Sequence, residues 1–479
     1  MKTSLSQLQA STHAYHRREF LRSSAGFLGL TALGGLLGQS LPATEPAVVP
    51  LAPHFAPKAK KVIYLHMIGA PSQLDLFDHK PELNKRDGQE CPAELLAGKR
   101  FAFIGGKMTL SGSPFQFKQY GQSGHVFSEL LPHLSKVSDD LAFIHSMHSE
   151  EINHAPAQMF LHSGFGRGGR PGFGSWVNYG LGSMNQDLPA YVVMLSGPAG
   201  GAGSSLWSTG FLPSVYQGVQ FRSKGDAVLF LTNPDSVDRT NRRRVLDALS
   251  ELNKNHFTNI GDPEINTRIS QYELAYRMQT SVPDLMEIKL EKPETLAAYG
   301  AVPGKASFAN NCLLARRLIE RGVRVVQLFD SDWDTHTNIK TRLPAKAKDV
   351  DQACAALITD LKQRGLLNET LVVWASEFGR TPLAQGSDTE GKSGNPGRDH
   401  HKDAYTVWMA GGGIKAGASI GKTDDFGFNI TERPMEVHDL NATILHQLGI
   451  DHERLTYRYQ GRNFRLTDVH GHAIDGLVG

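Results

Sequence analysis

One stretch of this 479-residue chain predicts its fold: Thr370-Leu371-Val372-Val373-Trp374-Ala375, followed at once by Ser376-Glu377-Phe378-Gly379-Arg380. The first six residues are mostly apolar and β-branched, which is typical of a strand buried on both faces of a parallel sheet. The polar residues after it would lie beyond the carboxyl end of the strand, where open α/β sheets bind their ligands. The stretch therefore predicts both an α/β fold and a place for a functional site.

Further strands of the same kind precede polar segments elsewhere in the chain. Val323–Phe329 precedes Asp332-Trp333-Asp334-Thr335-His336, and Lys61–Ile68 precedes a turn that reaches Asp75. Helical patterns alternate with these strands, and this order predicts a mostly parallel central sheet with helices on both faces. We expect one α/β domain over residues 61–479, with a helical insertion near 236–300.

The amino terminus is predicted to be an export signal. Residues 1–43 contain Arg17-Arg18, then Phe20-Leu21 and the short apolar run Ala25–Leu37, which together resemble a twin-arginine signal. The apolar run is too short and too rich in glycine for a spanning helix. We expect a linker over 44–60, export by the twin-arginine machinery to the periplasm or cell surface, and no transmembrane span in the mature protein.

The composition excludes some classes of protein. The net charge is only +2, so the chain has no electrostatic footprint of nucleic-acid binding. Its three cysteines, Cys91, Cys312 and Cys354, are too few and too scattered for a disulfide framework.

Carboxylates and imidazoles that follow the predicted strands suit a site for divalent metal. The candidate ligands are Asp75, Asp334, His336, Glu377, His400 and His401. His400 and His401 lie in a predicted polar loop, Gly386–Lys402, and adjacent histidines do not easily bind one ion, so which of the two is the ligand stays open. The mixed ligand set favours one or two ions of zinc or manganese, with iron, calcium or magnesium as alternatives.

Two other residues are candidates for catalysis. Asn153-His154 precedes a predicted helix, where His154 would transfer a proton or ligate metal; the alternative is that Asn153 only caps the helix. Arg380 lies three residues after Glu377 and would either hold an anion or pair with that carboxylate.

Three segments resemble the alkaline phosphatase and sulfatase superfamily. Gly365–Gly379 resembles the sulfatase stretch that ends in Ser-Asp-His-Gly, with Glu377 at the position of the metal-binding Asp and Phe378 in place of the His. Asp439–Ile450 and Gly413–Gly417 resemble two later motifs of the same superfamily. The resemblance implies an alkaline-phosphatase or sulfatase-like core.

Within that superfamily, the chain is similar to the exported bacterial family known as domain of unknown function 1501. The matching segments are Gly69–Pro81, Asn153–Ala157, Gly174–Gly182, Trp333–His336, Ser376–Pro382 and Phe464–Val469. The chain departs from sulfatases at the nucleophile, since Asn153-His154 stand where a Cys or Ser would be. Catalysis through formylglycine is therefore not expected.

The resemblance implies an exported, metal-dependent hydrolase that acts on phosphate or sulfate esters through a metal-bound water. Its substrate would be a small anionic ester or a sulfated or phosphorylated glycan. One alternative is a non-catalytic periplasmic or cell-surface module that binds an anionic glycan or a partner. Another is an exported structural protein whose metal only stabilises the fold.

Overall fold

A mostly parallel central sheet organises the protein. The computed structural model describes residues 51–229, 231–234, 237–386 and 395–478, so the predicted signal, 1–43, and the start of the predicted linker lie outside the described residues. The strands are β1 (Lys61–Met67), β2 (Phe117–Tyr120), β3 (His125–Ser128), β4 (Leu141–His148), β5 (Tyr191–Ser196), β6 (Val219–Phe221), β7 (Val325–Asp330), β8 (Thr370–Ala375), β9 (Gly379–Gln385), β10 (Gly397–His401), β11 (Tyr405–Ala410), β12 (Ser419–Ile420), β13 (Lys422–Thr423), β14 (Ile430–Glu432), β15 (Met435–Glu436), β16 (Tyr457–Tyr459) and β17 (Arg462–Phe464).

Nine of these strands form the central sheet of the described residues, in the order β12-β4-β11-β8-β1-β7-β5-β6, with β15 beside β4. All neighbours from β8 to β6 are parallel, and only β11 runs antiparallel to both of its neighbours. The register pairs Val62 of β1 with Val325 of β7 and with Leu371 of β8. The predicted mostly parallel sheet is thereby confirmed.

Helices cover both faces of the sheet. They are α1 (Gln73–Leu76), α2 (Pro81–Lys85), α3 (Ala93–Leu96), α4 (His154–Ser163), α5 (Phe173–Leu181), α6 (Arg239–Ile260), α7 (Pro263–Met286), α8 (Pro293–Tyr299), α9 (Phe308–Glu320), α10 (Ile339–Gln363) and α11 (Val437–Gln447). Short 3-10 helices span Leu134–Asp140, Gly203–Trp207, Ser214–Tyr216, Ile288–Leu290 and Leu367–Glu369. None of the described helices is both long and apolar enough to cross a membrane.

Two apolar cores follow from the alternation of side chains along each strand. On β1, Ile63 and Leu65 pack in the core under α9 and α10, whereas Val62 and Tyr64 pack in the core under α4, α5 and α11. A strand with apolar side chains on both faces must be covered on both faces. The predicted helices on both sides of the sheet are thus confirmed, and the α/β class with them.

Two long helices stand beside this core as an antiparallel pair, α6 and α7. Gly261 ends α6 with a left-handed backbone (φ 74°), and the Asp262 side chain then caps α7 by accepting from the Glu264 amide. Arg243 of α6 forms a two-pronged ion pair with Glu273 of α7. Polar side chains dominate α6, where Leu246 is its one buried residue.

The predicted polar loop, Gly386–Lys402, contains a strand instead. Gly397–His401 forms β10, which pairs antiparallel with β9 and places His400 opposite Arg380. The register shifts between Arg398 and His400, which marks a β-bulge. The polar composition hid this strand, because its buried side chains are satisfied by ion pairs and hydrogen bonds rather than by apolar contacts.

Candidate metal centre

Two neighbours of β1 deliver site residues to one edge of the sheet. The segment after β7 carries Asp334 and His336, and Glu377 follows the end of β8 by two residues. Because β7 and β8 both run parallel to β1, their carboxyl ends lie at the same edge. This is the edge at which ligands bind in open α/β sheets.

A glycine allows the segments after β1 and β7 to meet. Gly69 has φ 107°, and a Cβ on it would lie 2.6 Å from the backbone nitrogen of Asp334. Its own backbone N–H donates to Glu377 Oε1 at 2.9 Å. A side chain at Gly69 would therefore displace the carboxylate segment, in addition to straining the backbone.

Three histidines surround the carboxylate of Asp334. Its Oδ1 lies 2.9 Å from His336 Nε2, 3.3 Å from His154 Nε2 and 3.6 Å from His400 Nε2. The ligand atoms of these four residues all lie within 4.8 Å of one another. The histidines come from α4, from the segment after β7 and from β10, so the tertiary fold alone brings them together.

Each of the three imidazoles is held through its other nitrogen. His154 Nδ1 lies 2.7 Å from Glu377 Oε1, His336 Nδ1 2.5 Å from Gln385 Oε1, and His400 Nδ1 2.8 Å from the Ile152 carbonyl oxygen. All three partners are acceptors, so each Nδ1 carries the proton of the neutral ring. Each Nε2 then directs a lone pair at the common centre, as in metal sites whose ligand histidines are oriented by an outer acceptor.

The donor set fits a divalent metal ion. His154 Nε2 and His400 Nε2 are buried, and neither has a hydrogen-bond partner of good geometry among the described residues. Unpartnered buried nitrogens are costly, and a cation would satisfy both. Three imidazole nitrogens and one carboxylate oxygen form a ligand set of the kind that zinc binds.

Electrostatics favour a positive charge at this centre. Burial by itself would raise the pKa of Asp334, but contacts with His154, His336 and His400 hold that pKa well below its usual value. Burial would likewise lower the pKa of His154, but the carboxylates of Asp334 and Glu377 raise it to about 9. In the absence of a cation, His154 therefore carries a second proton, on Nε2, at neutral pH.

Glu377 lies behind the cluster, not within it. Its side chain is fully buried, whereas that of Asp334 is 41% exposed. Burial would raise the pKa of Glu377, but hydrogen bonds from His154 and His66 hold it well below its usual value. The structure thus places Glu377 as the partner that orients His154.

Two other predicted ligands lie outside the cluster. Asp75 is fully buried and receives Arg398 Nε at 2.7 Å and Nη2 at 3.2 Å, with the Ser72 hydroxyl at 2.5 Å. His401 points to the opposite face of β10 from His400, and its Nε2 lies 3.0 Å from the Phe428 carbonyl oxygen. Burial lowers the pKa of His401 to about 4, so that ring is neutral.

Arg380, the predicted anion-binding residue, is fully buried beside Asp334. Its guanidinium donates to the carbonyl oxygens of Gly69, Ala70 and Arg398, and to Asp334 Oδ1. Burial lowers the pKa of Arg380. The side chain therefore offsets the charge of Asp334 and directs its donors inward.

Sequence reasoning missed an aromatic cover over the cluster. The Phe103 ring, 64% exposed, lies edge-on to His336 (5.1 Å between centroids) and to His400 (5.2 Å). Asp399 Oδ2 holds this ring in place by accepting from the backbone amides of residues 102–104. Phe378 packs against His154 and His400 from inside. No sequence signal points to Phe103, because it lies in an irregular glycine- and lysine-rich segment.

Comparison with solved structures returns alkaline phosphatases and related proteins. The chain is similar to alkaline phosphatase from the Antarctic bacterium TAB5 (13% identity, covering 82% of this chain and 97% of that one, TM-score 0.33). It is also similar to a protein in the alkaline phosphatase superfamily from Vibrio parahaemolyticus (11% identity, covering 86% of this chain and 72% of that one, TM-score 0.33). A third similar structure is that of the lipoteichoic acid synthase LtaP from Listeria monocytogenes (10% identity, covering 83% of this chain and 74% of that one, TM-score 0.33). At TM-scores this low, nothing about the chemistry of the site is carried over.

Sequence comparison gives the family. No curated protein matches the chain. A family model described as "Protein of unknown function (DUF1501)" matches residues 59–478, nearly all of the described chain. The resemblance read from six short segments is thereby confirmed, and the chain belongs to the DUF1501 family.

Proposed function

We propose that this protein is an exported hydrolase that depends on a divalent cation held by His154, Asp334, His336 and His400. One observation carries the proposal: three imidazole Nε2 atoms converge on one carboxylate, while each Nδ1 is fixed by an acceptor. Zinc or manganese suits this ligand set best. When bound, the cation would polarise an ester oxygen and lower the pKa of a bound water.

The chain's own residues prepare the site for that cation. Glu377 holds the proton of the neutral His154 ring on Nδ1, so Nε2 is the nitrogen that binds the cation once its proton is displaced, and His154 serves as a ligand rather than as a proton donor. Asp334 supplies the negative charge and is the most exposed of the four proposed ligands. Arg380 stabilises that carboxylate from the protein side.

The proposed substrates are phosphate or sulfate esters, including sulfated or phosphorylated glycans. Support comes from the sulfatase-like order of motifs around Gly365–Gly379 and Asp439–Ile450. The twin-arginine pattern at Arg17-Arg18 supports export to the periplasm or cell surface. With His154 at the helix start in place of a Cys or Ser, we propose that water attacks directly and no covalent intermediate forms.

A structural metal site is the second candidate, and the ligand count favours it. Four protein ligands complete a tetrahedral set, whereas catalytic zinc sites keep a position for water. The inward donors of Arg380 also leave that group unavailable to an anion. In this case the cation would stabilise the fold without supporting turnover.

The test combines metal content with turnover. The exported wild-type protein, His336→Ala and the control His438→Ala would be measured for metal content and for hydrolysis of p-nitrophenyl phosphate and p-nitrophenyl sulfate. His438 is also buried but bonds to Gly164 and Glu436, away from the cluster. We expect metal and turnover in the wild type and the control, and neither in His336→Ala. Metal without turnover on a wide ester panel would favour the structural site, and absence of metal from the wild type would refute both candidates.

A further inference from the structure

A row of buried polar side chains crosses the sheet behind Glu377. Its members are Tyr191 on β5, Gln327 on β7, His162 on α4 and His66 on β1, and none of them is exposed. The Tyr191 hydroxyl donates to Gln327 Oε1, and Gln327 Nε2 lies 2.9 Å from His162 Nδ1. His162 Nε2 then lies 2.5 Å from His66 Nδ1, and His66 Nε2 lies 3.0 Å from Glu377 Oε2. We call these four residues the polar row.

With the Gln327 amide placed so that Nε2 faces His162, the hydrogen bonds of the polar row all run in one direction. Gln327 Nε2 can only donate, so His162 Nδ1 accepts. A neutral imidazole has one N–H, so His162 must donate from Nε2, and His66 Nδ1 must accept. The one proton of a neutral His66 then lies on Nε2 and is donated to Glu377. Burial lowers the pKa of His162 well below its usual value, which keeps that ring neutral.

Glu377 accepts hydrogen bonds on both oxygens. Besides His66, it receives the Gly69 amide at 2.9 Å, Gln158 Nε2 at 3.1 Å and His154 Nδ1 at 2.7 Å. Four donors thus hold an ionised carboxylate in a single orientation. That orientation determines where His154, and hence its Nε2, points.

We propose that the polar row is a positioning device: by fixing the tautomer of His66 it orients Glu377, and Glu377 in turn aims His154 Nε2 at the cation. The inference rests on the proposed function, and it adds residues that do not touch the centre. By donating to Gln327 Oε1, Tyr191 favours the amide orientation that turns Nε2 toward His162. Without that hydroxyl the amide can turn, presenting its oxygen to His162 and reversing each proton, which would bring the lone pair of His66 Nε2 against Glu377.

The need to give every buried polar group a hydrogen-bond partner does not by itself explain why the polar row exists. Tyr64 on β1 is as buried as Tyr191 and packs against the same His162 ring, at 5.1 Å between centroids. Yet the Tyr64 hydroxyl has no hydrogen-bond partner among the described residues. The same core therefore tolerates an unpartnered tyrosine hydroxyl, and Tyr64→Phe provides a matched control for Tyr191→Phe.

The first test reads the tautomers directly in metal-free protein. Ring-nitrogen NMR shifts of ¹⁵N-labelled histidine should show His66 and His162 neutral, each with its proton on Nε2. In Tyr191→Phe both rings should move toward the Nδ1–H form, whereas Tyr64→Phe should match the wild type. An Nδ1–H form of either ring in the wild type, or unchanged shifts in Tyr191→Phe, would overturn the proposal. Because no cation is present, this result stands even if the proposed function fails.

The second test separates positioning from packing by measuring zinc affinity in chelator competition. His66→Gln retains an N–H for Glu377, whereas His66→Leu retains only volume. We expect affinity within about twofold of the wild type for His66→Gln, a loss of about tenfold or more for His66→Leu, and a loss of about three- to tenfold for Tyr191→Phe. Equal affinities for His66→Gln and His66→Leu would overturn the positioning role. Absence of zinc binding by the wild type would refute the proposed function. The NMR test of the tautomers would then be the only test of the hydrogen-bond directions in the polar row.

Discussion

Asp75 and Asp334 both follow parallel strands that are neighbours in the sheet, yet their surroundings are opposite. Asp75 is fully buried and receives two nitrogens of Arg398 and the Ser72 hydroxyl. Asp334 is 41% exposed and faces three histidine nitrogens in addition to the guanidinium of Arg380. Two aspartates that each follow a parallel strand thus have different partners, an arginine and a serine for Asp75 and mainly histidines for Asp334. The partner decides the role, because both carboxylate oxygens of Asp75 already accept from buried donors, whereas the lone pairs of converging imidazoles repel one another unless a proton or cation lies between them.

The largest effect that the comparison predicts is on stability at Asp75. Asp75→Ala leaves the buried charge of Arg398 without its partner, and the loss of one member of a buried ion pair costs about 3–5 kcal/mol. Denaturant unfolding of the metal-free variant should show a loss of this size, with metal content still at the wild-type level. If Asp75→Ala kept its stability but lost the cation, the prediction would be wrong, and Asp75 would be a metal ligand.

The matching substitution at Asp334 should act on the metal instead. Asp334→Asn removes the only carboxylate among the four candidate ligands while keeping the shape of the side chain. We expect zinc affinity to fall by about 100-fold or more, since even residues that only support metal ligands contribute about 10- to 100-fold. The free energy of unfolding of the metal-free protein should change by less than in Asp75→Ala, because the buried Arg380 keeps the asparagine oxygen and three backbone carbonyls as acceptors. Chelator competition and denaturant unfolding measure the two quantities, and wild-type zinc affinity in Asp334→Asn would remove the basis of the proposed site.

The difference between the two aspartates could not be predicted from the sequence. Arg398 lies 323 residues from Asp75 along the chain, and it reaches Asp75 only because β9 and β10 form a hairpin. That hairpin was missed, since Gly397–His401 is polar and has no apolar alternation. For the same reason the different surroundings of His400 and His401, which face opposite sides of β10, could not be predicted from the sequence.

The apolar strands were predictable because hydrophobicity alone determines where they lie. β8 has the predicted bounds, Thr370–Ala375, and β7 begins two residues after the predicted start at Val323. The polar residues at the strand ends were predictable too, since Asp334 and His336 follow β7. The long-range contacts that place Asp334 among histidines and Asp75 beside Arg398 could not be predicted, because they depend on the pairing of strands far apart in the chain.

A smaller effect is predicted for the pH dependence of metal binding. The carboxylates of Asp334 and Glu377 outweigh burial and raise the pKa of His154 to about 9 in the metal-free protein. A cation must displace that proton, so the apparent affinity should rise by about tenfold per pH unit up to pH ~9 and then level off. In Asp334→Asn one of the two carboxylates is gone, so the pKa of His154 falls and the plateau should begin at lower pH. Calorimetry in buffers of different ionisation enthalpy would count the proton released, and an affinity that does not vary between pH ~7 and ~9 would contradict the protonated centre.

The smallest effect is expected at Phe103, whose ring covers the cluster around Asp334. Phe103→Ala removes a ring that lies edge-on to His336 and His400, and such an aromatic contact contributes about 0.5–1.5 kcal/mol. Because the ring covers the exposed side of the cluster, its loss should speed dissociation of the cation by about two- to tenfold, while the free energy of unfolding stays close to that of the wild type. Leu290→Ala is the matched control, since Leu290 is a similarly exposed apolar residue that does not touch the cluster. Stopped-flow transfer of zinc to a chelator gives the rate. An equal rate in Phe103→Ala and Leu290→Ala would show that the ring is only a surface neighbour of the histidines. The release of the cation would then not depend on Phe103.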